Sequence, residues 1–466
     1  MALREPLPTV TRVLRFQRPL GRVRPTGCQH HDRSPHGNDG CEPGYALPRR
    51  PVQRAGPWGP TAAQRARQWM PRPSLSGPPQ PGSPAQPLPL ETFCSRWQPG
   101  LPASPLSNRY HSALPKHVES HYLDHPVTAL FTQLVQARLD SLTKPPGSLG
   151  RLEALALRLA EQQQTLDVVT RPRRLVLFAA DHGVVAAGVS QWPSAVTAQM
   201  VLNIAQGGAA SSVLARQFGV ELRVVDVGVA RDTPWPDRSI LDRRIRPGTR
   251  NFALEPALTV EEFDAAWQVG VEQAATAHAE GCRLLLGGEM GIGNTTAASA
   301  LTAWLTQQPA ESVVGSGAGA TDESLQRKCE VVTQAVARAR AFPDIRQGLA
   351  SICGLEIAAL AGFYAQGARQ QTPVLLDGFI ATSAALLAER LAPGTARGLL
   401  AAHRSAEPGH TPALAMLGLV PWIDHWQLRL GEGTGALLLV PLVDAAGAIL
   451  TQMATFQSAG VAAHAD

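Results

Sequence analysis

Two acidic residues stand in settings where a carboxylate can do chemistry. One is Glu289, inside Gly287-Gly288-Glu289-Met290-Gly291-Ile292-Gly293-Asn294-Thr295-Thr296. The other is Glu432, flanked by Gly431 and Gly433, with Leu428 and Leu430 before it and an apolar stretch after it. Burial raises a carboxylate's pKa and makes it a better base near neutral pH, so Glu432 reads as a candidate general base. A helix start also favours acidic residues through its dipole alone, and that simpler reading stays open. The glycines around Glu289 let a ligand approach the backbone, and a helix beginning after them offers unpaired N–H groups to a phosphate. Asn294, Thr295 and Thr296 are placed to cap that helix. A tight capped turn without a ligand has the same local pattern.

The glycine stretch misses two common nucleotide motifs. Gly288 and Gly293 have P-loop spacing, but Asn294 replaces the lysine that reaches the β- and γ-phosphates. Gly291 and Gly293 begin a dinucleotide fingerprint, but Thr296 stands at its third glycine. Gly315-Ser316-Gly317-Ala318-Gly319 fails as well. A monophosphate cradle remains. There is no Gly-x-Ser-x-Gly elbow and no His-Glu-x-x-His. Asp181-His182-Gly183 could supply a metal pair, but adjacent residues at a strand end point to opposite sides, which favours hydrogen bonding.

These residues need elements to hold them. Strand-like apolar runs at 175–180, 221–225, 284–286, 373–376 and 398–402 each end in polar or charged residues beside glycine. They end at Asp181, Asp226, the Glu289 stretch, Asp377 and the run from His403 to His410. Helical stretches of small and apolar residues separate them, at 196–218, 359–366 and 382–391. Strand–helix alternation implies a parallel sheet covered on both faces, with ligands bound beyond the carboxyl ends of its strands. One strand end of this kind is ordinary; five argue for one site. The expected fold is α/β, a Rossmann-like three-layer arrangement. A small helical part comes from 115–171 and 433–466, around a core sheet at about 172–432. Helices are expected at 126–142 and 148–164, the second with Ser148 as N-cap, and an apolar helix at about 436–455.

The net charge of +5 misleads. Residues 1–110 hold 15 arginines, no lysine and 5 acidic residues, which leaves 27 basic against 32 acidic residues for the remainder. The high pI is therefore no argument for nucleic-acid binding. Residues 1–114 hold 21 of the 39 prolines and show no periodicity, so they read as a disordered extension. They are Arg-rich and acid-poor, like a transit peptide, and also fit translated sequence upstream of the true start. Cys28, His30, His31, His36 and Cys41 could clasp a metal, but a solvated tail is the simpler reading. No secretory signal and no membrane-spanning run is expected. Six cysteines without a Cys-x-x-Cys pair fit a reducing, cytoplasmic setting.

Seven motifs then occur in order: Lys144-Pro145-Pro146-Gly147-Ser148-Leu149-Gly150, Asp181-His182-Gly183, Val196-Thr197-Ala198-Gln199, the turn from Gly288 to Thr296, Leu376-Asp377-Gly378-Phe379, Ser405-Ala406-Glu407-Pro408-Gly409-His410 and Arg429-Leu430-Gly431-Glu432-Gly433-Thr434-Gly435. Together they resemble the nicotinate-nucleotide–dimethylbenzimidazole phosphoribosyltransferase family, over about 115–460. The tail at 1–114 departs from the family. The resemblance implies transfer of phosphoribose from nicotinate mononucleotide to 5,6-dimethylbenzimidazole, giving nicotinate and α-ribazole 5′-phosphate for the lower ligand of cobalamin. It implies Glu432 as base, Glu289 as second carboxylate and Lys328 near it. Gly291, Gly293, Asn294 and Thr295 would hold the 5′-phosphate, and Ser190 and Gln199 would line the benzimidazole pocket. Asp181 and His182 join the substrate-binding set as hydrogen-bonding groups. The resemblance implies no metal or redox cofactor, no nucleic-acid or membrane partner, and a homodimer. Two other classes stay in view: a nucleotide enzyme such as a degenerate P-loop kinase, and a non-catalytic sensor of benzimidazole or its riboside.

Overall fold

The structure is a computed structural model that describes residues 126–462 apart from Ala318 and Ala320. The expectations for 1–114, including disorder and the Cys28–Cys41 metal clasp, lie outside the described residues. Six parallel strands form one sheet: β1 (Arg173–Ala180), β2 (Glu221–Gly228), β3 (Leu241–Asp242), β4 (Leu284–Met290), β5 (Val374–Leu376) and β6 (Leu399–Ala401). Their order is β3-β2-β1-β4-β5-β6. That order reverses direction between β1 and β4, where open α/β sheets leave a crevice for ligands. Register brings the strand ends level there: Phe178 faces Glu289 and Ala179 faces Met290, while Leu376 faces Ala401 on the far side.

The helices are α1 (Pro126–Asp140), α2 (Arg151–Gln163), α3 (Ala195–Ala205), α4 (Ala210–Phe218), α5 (Val260–Ala279), α6 (Asn294–Leu305), α7 (Ala310–Val313), α8 (Asp322–Arg340), α9 (Ile345–Ile352), α10 (Leu355–Arg369), α11 (Phe379–Leu391), α12 (His410–Leu417), α13 (Thr434–Gln452) and α14 (Phe456–Ala459). The sheet separates their cores because successive strand side chains point to opposite faces. Val176, Phe178 and Leu285 join one core with residues of α5, α6 and α8–α11. Leu175, Leu284, Leu286 and Leu375 join the other, with residues of α1, α2 and α13. β1 is buried along its whole length, as a central parallel strand covered on both faces must be.

Two local expectations change, and one strand was not expected. The helix read across 196–218 is two helices, α3 and α4, broken at Gly207 and Gly208, where Gly207 takes φ 87°. That left-handed turn ends α3, whereas small apolar residues on either side had concealed the break. Ser148 does not cap α2; the N-cap is Gly150, and the Glu153 carboxylate accepts from Leu149 N instead, at 2.9 Å. Glu153 also pairs with Lys144 at 2.9 Å, which ties the Lys144-Pro145-Pro146 turn to the helix. Strand β3 carries only two residues before Arg243 and Arg244, too short to give an apolar run.

α13 is long and apolar enough to cross a membrane by length and composition, with a mean hydropathy of 1.8. Of that stretch 56% is buried within the fold, against α2 and α4. A buried core helix is apolar all round for the same reason a membrane span is.

Candidate active site

The chain leaves β4 at Met290 and enters α6 at Asn294 through Gly291, Ile292 and Gly293. Two neighbours leave no room for side chains in this turn. A Cβ on Gly291 would meet the Ala180 carbonyl at the end of β1, and one on Gly293 would lie 2.7 Å from Val185 Cγ2. Gly293 is also left-handed, at φ 94°. The turn is tied back to α3, because Ile292 N donates to Thr197 Oγ1 at 3.1 Å. Asn294, Thr295 and Thr296 do not cap α6, contrary to expectation; its N-cap is Gly293, which makes no side-chain bond. Asn294 Nδ2 donates to Glu289 Oε2, and Thr295 Oγ1 accepts from Lys328 Nζ at 3.0 Å. The Asn294 and Thr295 side chains are thus engaged within the site, and Asn294 N and Thr296 N close the turn on Gly291 O and Gly293 O at 3.1 and 3.0 Å, which leaves the positive end of the α6 dipole to favour an anion.

Glu432 stands between α12 and α13 in a turn where Gly431, Glu432 and Gly433 take φ 86°, 59° and 76°. A non-glycine residue held in the left-handed region costs about 1–3 kcal/mol and persists only where its surroundings impose it. Glu432 is buried, and burial raises its pKa, opposed by the Ser211 hydroxyl that donates to Oε2 at 3.0 Å. Glu289 is fully enclosed, and burial followed by the nearby Asp377, Glu356 and Glu432 charges pushes it up to about 8. Gly431 packs directly on the Glu289 carboxylate, which brings the two carboxylate-bearing turns into contact. Opposite them Lys328 donates to Gly315 O at 3.0 Å, and burial lowers its pKa to about 8.

Ser190, Glu289, Gly291, Gly293, Asn294, Thr295, Lys328 and Glu432 all line one cavity of about 410 Å³. Apolar Val189, Val196, Met200 and Phe379 share its wall. A few polar groups converging on a mainly apolar concavity of this size is the usual form of a small-molecule site. Ser190 does not present a free hydroxyl: it donates to Trp192 O at 3.2 Å and accepts from Trp192 N at 3.1 Å, shaping the turn that holds Trp192 at the rim.

Asp181, His182 and Gln199 are not brought to the cavity wall. Asp181 is buried and accepts from Ala230 N at 2.8 Å. His182 lies beneath Gly291 and Gly293, with Nε2 2.6 Å from Glu356 Oε1 on α10. Both therefore support the turns rather than face the cavity, since a strand-end side chain pointing into the fold cannot reach the crevice. Gln199 is exposed on α3. Among the described residues, no three His, Cys, Asp or Glu side chains cluster as metal ligands would.

Several residues of the site carried no role in the sequence reading. Asp377 accepts from Gly433 N at 2.9 Å and from Gly435 N at 2.8 Å. Glu407 accepts from Gly317 N at 3.0 Å, and Arg429 donates to Gly317 O at 3.0 Å, so the 315–317 loop is pinned from two sides. Asp377, Glu407 and Arg429 sit in motifs visible in the sequence, whereas Ser211 and Glu356 lie in small-residue helices with no local signal.

A family described as Phosphoribosyltransferase matches residues 125–461. A nicotinate-nucleotide–dimethylbenzimidazole phosphoribosyltransferase of Thermus thermophilus is 49% identical over 324 residues, 70% of this chain and 96% of that protein. The protein of that name from Ralstonia nicotianae is 49% identical over 338 residues, 71% of this chain and 94% of that one. The crystal structure of CobT from Thermus thermophilus superposes with a TM-score of 0.69 at 47% identity, over 72% of this chain and all of that one.

Proposed function

The chain belongs to the nicotinate-nucleotide–dimethylbenzimidazole phosphoribosyltransferase family, and from that premise we propose how its residues divide the work. The enzyme moves phosphoribose from nicotinate mononucleotide to 5,6-dimethylbenzimidazole, releasing nicotinate and forming α-ribazole 5′-phosphate for the cobalamin lower ligand. The leaving pyridinium is already cationic and departs without a general acid. The incoming benzimidazole carries an N–H and needs one base, in contrast to the two carboxylates of glycoside hydrolysis. Glu432 is that base. One juxtaposition carries this reading: a buried carboxylate with a raised pKa, held in a left-handed turn, shares a cavity with the bare start of α6 and Lys328.

The 5′-phosphate lies on the 291–295 turn, with Lys328 behind Thr295. The benzimidazole lies against Val196, Met200 and Phe379. Glu289 faces the ribose, where positive charge develops in the transition state. With its pKa near 8 it is mainly protonated in the empty enzyme at pH 7. The nicotinate mononucleotide pyridinium brings a positive charge beside it, which favours the ionised form. Binding of this nucleotide therefore releases a proton from Glu289 and tightens as pH rises toward 8. Calorimetry in two buffers of different ionisation enthalpy reads that proton, and Glu289→Gln abolishes it. An unchanged release in the variant would assign the proton elsewhere.

The decisive experiment mixes the purified chain with nicotinate mononucleotide and dimethylbenzimidazole and follows both products by mass spectrometry. Binding without turnover would mark a sensor instead. Residues 115–466 form the catalytic domain in this reading. A chain starting at Ser112 is expected to match the full chain in kcat and solubility, and a large loss of either would overturn that. The protein acts in the cytoplasm as a homodimer, away from membranes and nucleic acid. Leu130 and Leu134, 68% and 52% exposed on α1, support a partner surface there. Free Cys282, Cys329 and Cys353 fit a reducing setting.

A further inference from the structure

Glu432 does not hold its own position. All three residues of the 431–433 turn are left-handed; Thr434 N and Oγ1 close on Gly431 O at 3.0 and 2.8 Å and Ser211 holds the Glu432 carboxylate, but neither reaches the N–H groups of Gly433 and Gly435. The brace arrives from another strand. Asp377 ends β5 with a side chain almost wholly buried, and its two oxygens divide their work: Oδ2 accepts from Gly433 N at 2.9 Å, and Oδ1 from Gly435 N at 2.8 Å. These are N–H groups at the start of α13, which have no partner within the helix. His403, two residues past β6 and lining the cavity, stands against the same carboxylate, with Nε2 3.3 Å from Asp377 Oδ1. The fit is close on every side. A Cβ on Gly435 would lie 2.7 Å from Asp377 Oδ1, and one on Gly288 would lie 3.0 Å from the Glu432 carbonyl.

We propose that Asp377 is a positioning residue for Glu432: a two-oxygen cap, delivered from the neighbouring strand, that holds the 431–433 turn in its left-handed form and so places the base. The proposal rests on the reading of Glu432 as base. Both caps need an acceptor, so only a carboxylate serves; an amide presents one acceptor and turns a donor on the second N–H group. A misplacement of about 1 Å at a reacting group costs on the order of 10²-fold in rate. The charge acts too. The titratable groups facing Glu432 are Asp377 and Glu289, with His403 against Asp377, and Lys328, Glu407 and Arg429 elsewhere around the cavity; α4 contributes the Ser211 hydroxyl and backbone N–H. A negative Asp377 disfavours ionisation of Glu432, so its removal moves the acid limb of kcat to lower pH.

The test is a double-mutant cycle in the full chain with Asp377→Asn and Glu432→Gln, following nicotinate release across pH. Asp377→Asn is expected to lower kcat by about 10- to 100-fold and to displace the acid limb to lower pH. KM for nicotinate mononucleotide should stay within about threefold, because the phosphate turn belongs to a different loop. In the Glu432→Gln background the same change should cost little more, since no base is left to place. Equal losses in both backgrounds, or an unmoved acid limb, would overturn the positioning role. Near-parental kcat in Glu432→Gln alone would instead overturn the base reading, and this proposal with it. Should the Asn variant not fold, Asp377→Ser offers one acceptor in a smaller side chain and is read in the same way.

Discussion

Replacing Glu432 by Gln is expected to lower kcat by about 10²–10⁴-fold, the usual contribution of a general base. The substitution keeps the side chain's size and leaves Ser211 an oxygen to donate to, so the turn is preserved. What it removes is the basic oxygen. In the parent enzyme the carboxylate's pKa is raised by burial, and the base is active only when ionised. Activity therefore falls as pH drops through that raised pKa, and this acid limb is absent from the Gln variant. KM for nicotinate mononucleotide should change little, because the phosphate contacts proposed for the 291–295 turn belong to a different loop. A pH profile of kcat for both proteins checks all three points. A Gln variant that kept parental kcat would transfer the role to Glu289, which the same substitution tests.

Replacing Gly293 by Val should produce the other large effect, on binding rather than on the chemical step. At φ 94° the position disfavours any side chain, and a Cβ there would lie 2.7 Å from Val185 Cγ2 and 3.2 Å from His182 Cβ. The turn must shift, and the start of α6 shifts with it. Hydrogen bonds to a charged phosphate are worth about 1.5–3 kcal/mol each. Losing one or two raises KM for nicotinate mononucleotide by about 10-fold to 10⁴-fold, at tenfold per 1.4 kcal/mol. KM for dimethylbenzimidazole should move only several-fold, because its apolar wall lies on α3 and α11. The dephosphorylated riboside provides the control: the parent should use it far less well than the nucleotide, and the variant should treat the two nearly alike. A parent enzyme indifferent to the phosphate would remove this turn from the binding site.

Much of this molecule is legible in one dimension, for identifiable reasons. β1 and β4 are buried on both faces and so read as unbroken apolar runs. The 291–293 turn shows itself because bare glycine is required where Gly291 packs against Ala180 and where Gly293 is left-handed. Glu432 shows itself through the same need, since a left-handed turn written Gly-Glu-Gly can hold only its middle side chain. The misreadings are equally local. Small apolar residues lie on both sides of Gly207 and Gly208, so periodicity joined α3 to α4 although the left-handed Gly207 breaks the helix there. Asn294 and Thr295 have the composition of caps, but neighbours outside the turn compete for them.

The sequence by itself determined the parallel α/β class, the polar strand ends, and the glycine-flanked settings of the two carboxylates. All three follow from burial and backbone conformation, which are recorded within a few residues of each position. Only the tertiary structure decided which groups serve those carboxylates. Ser211 reaches Glu432 from 221 residues away, Asp377 reaches Gly433 from 56, and Glu356 reaches His182 from 174. These partnerships depend on the order β3-β2-β1-β4-β5-β6 and on the register that levels the strand ends. Neither is encoded by the period or propensity of any one segment, because each emerges when segments pack against one another. The same packing buried Asp181 and His182 beneath the turns and left Gln199 exposed, although all three stand in motifs as plain as those of Glu289 and Glu432.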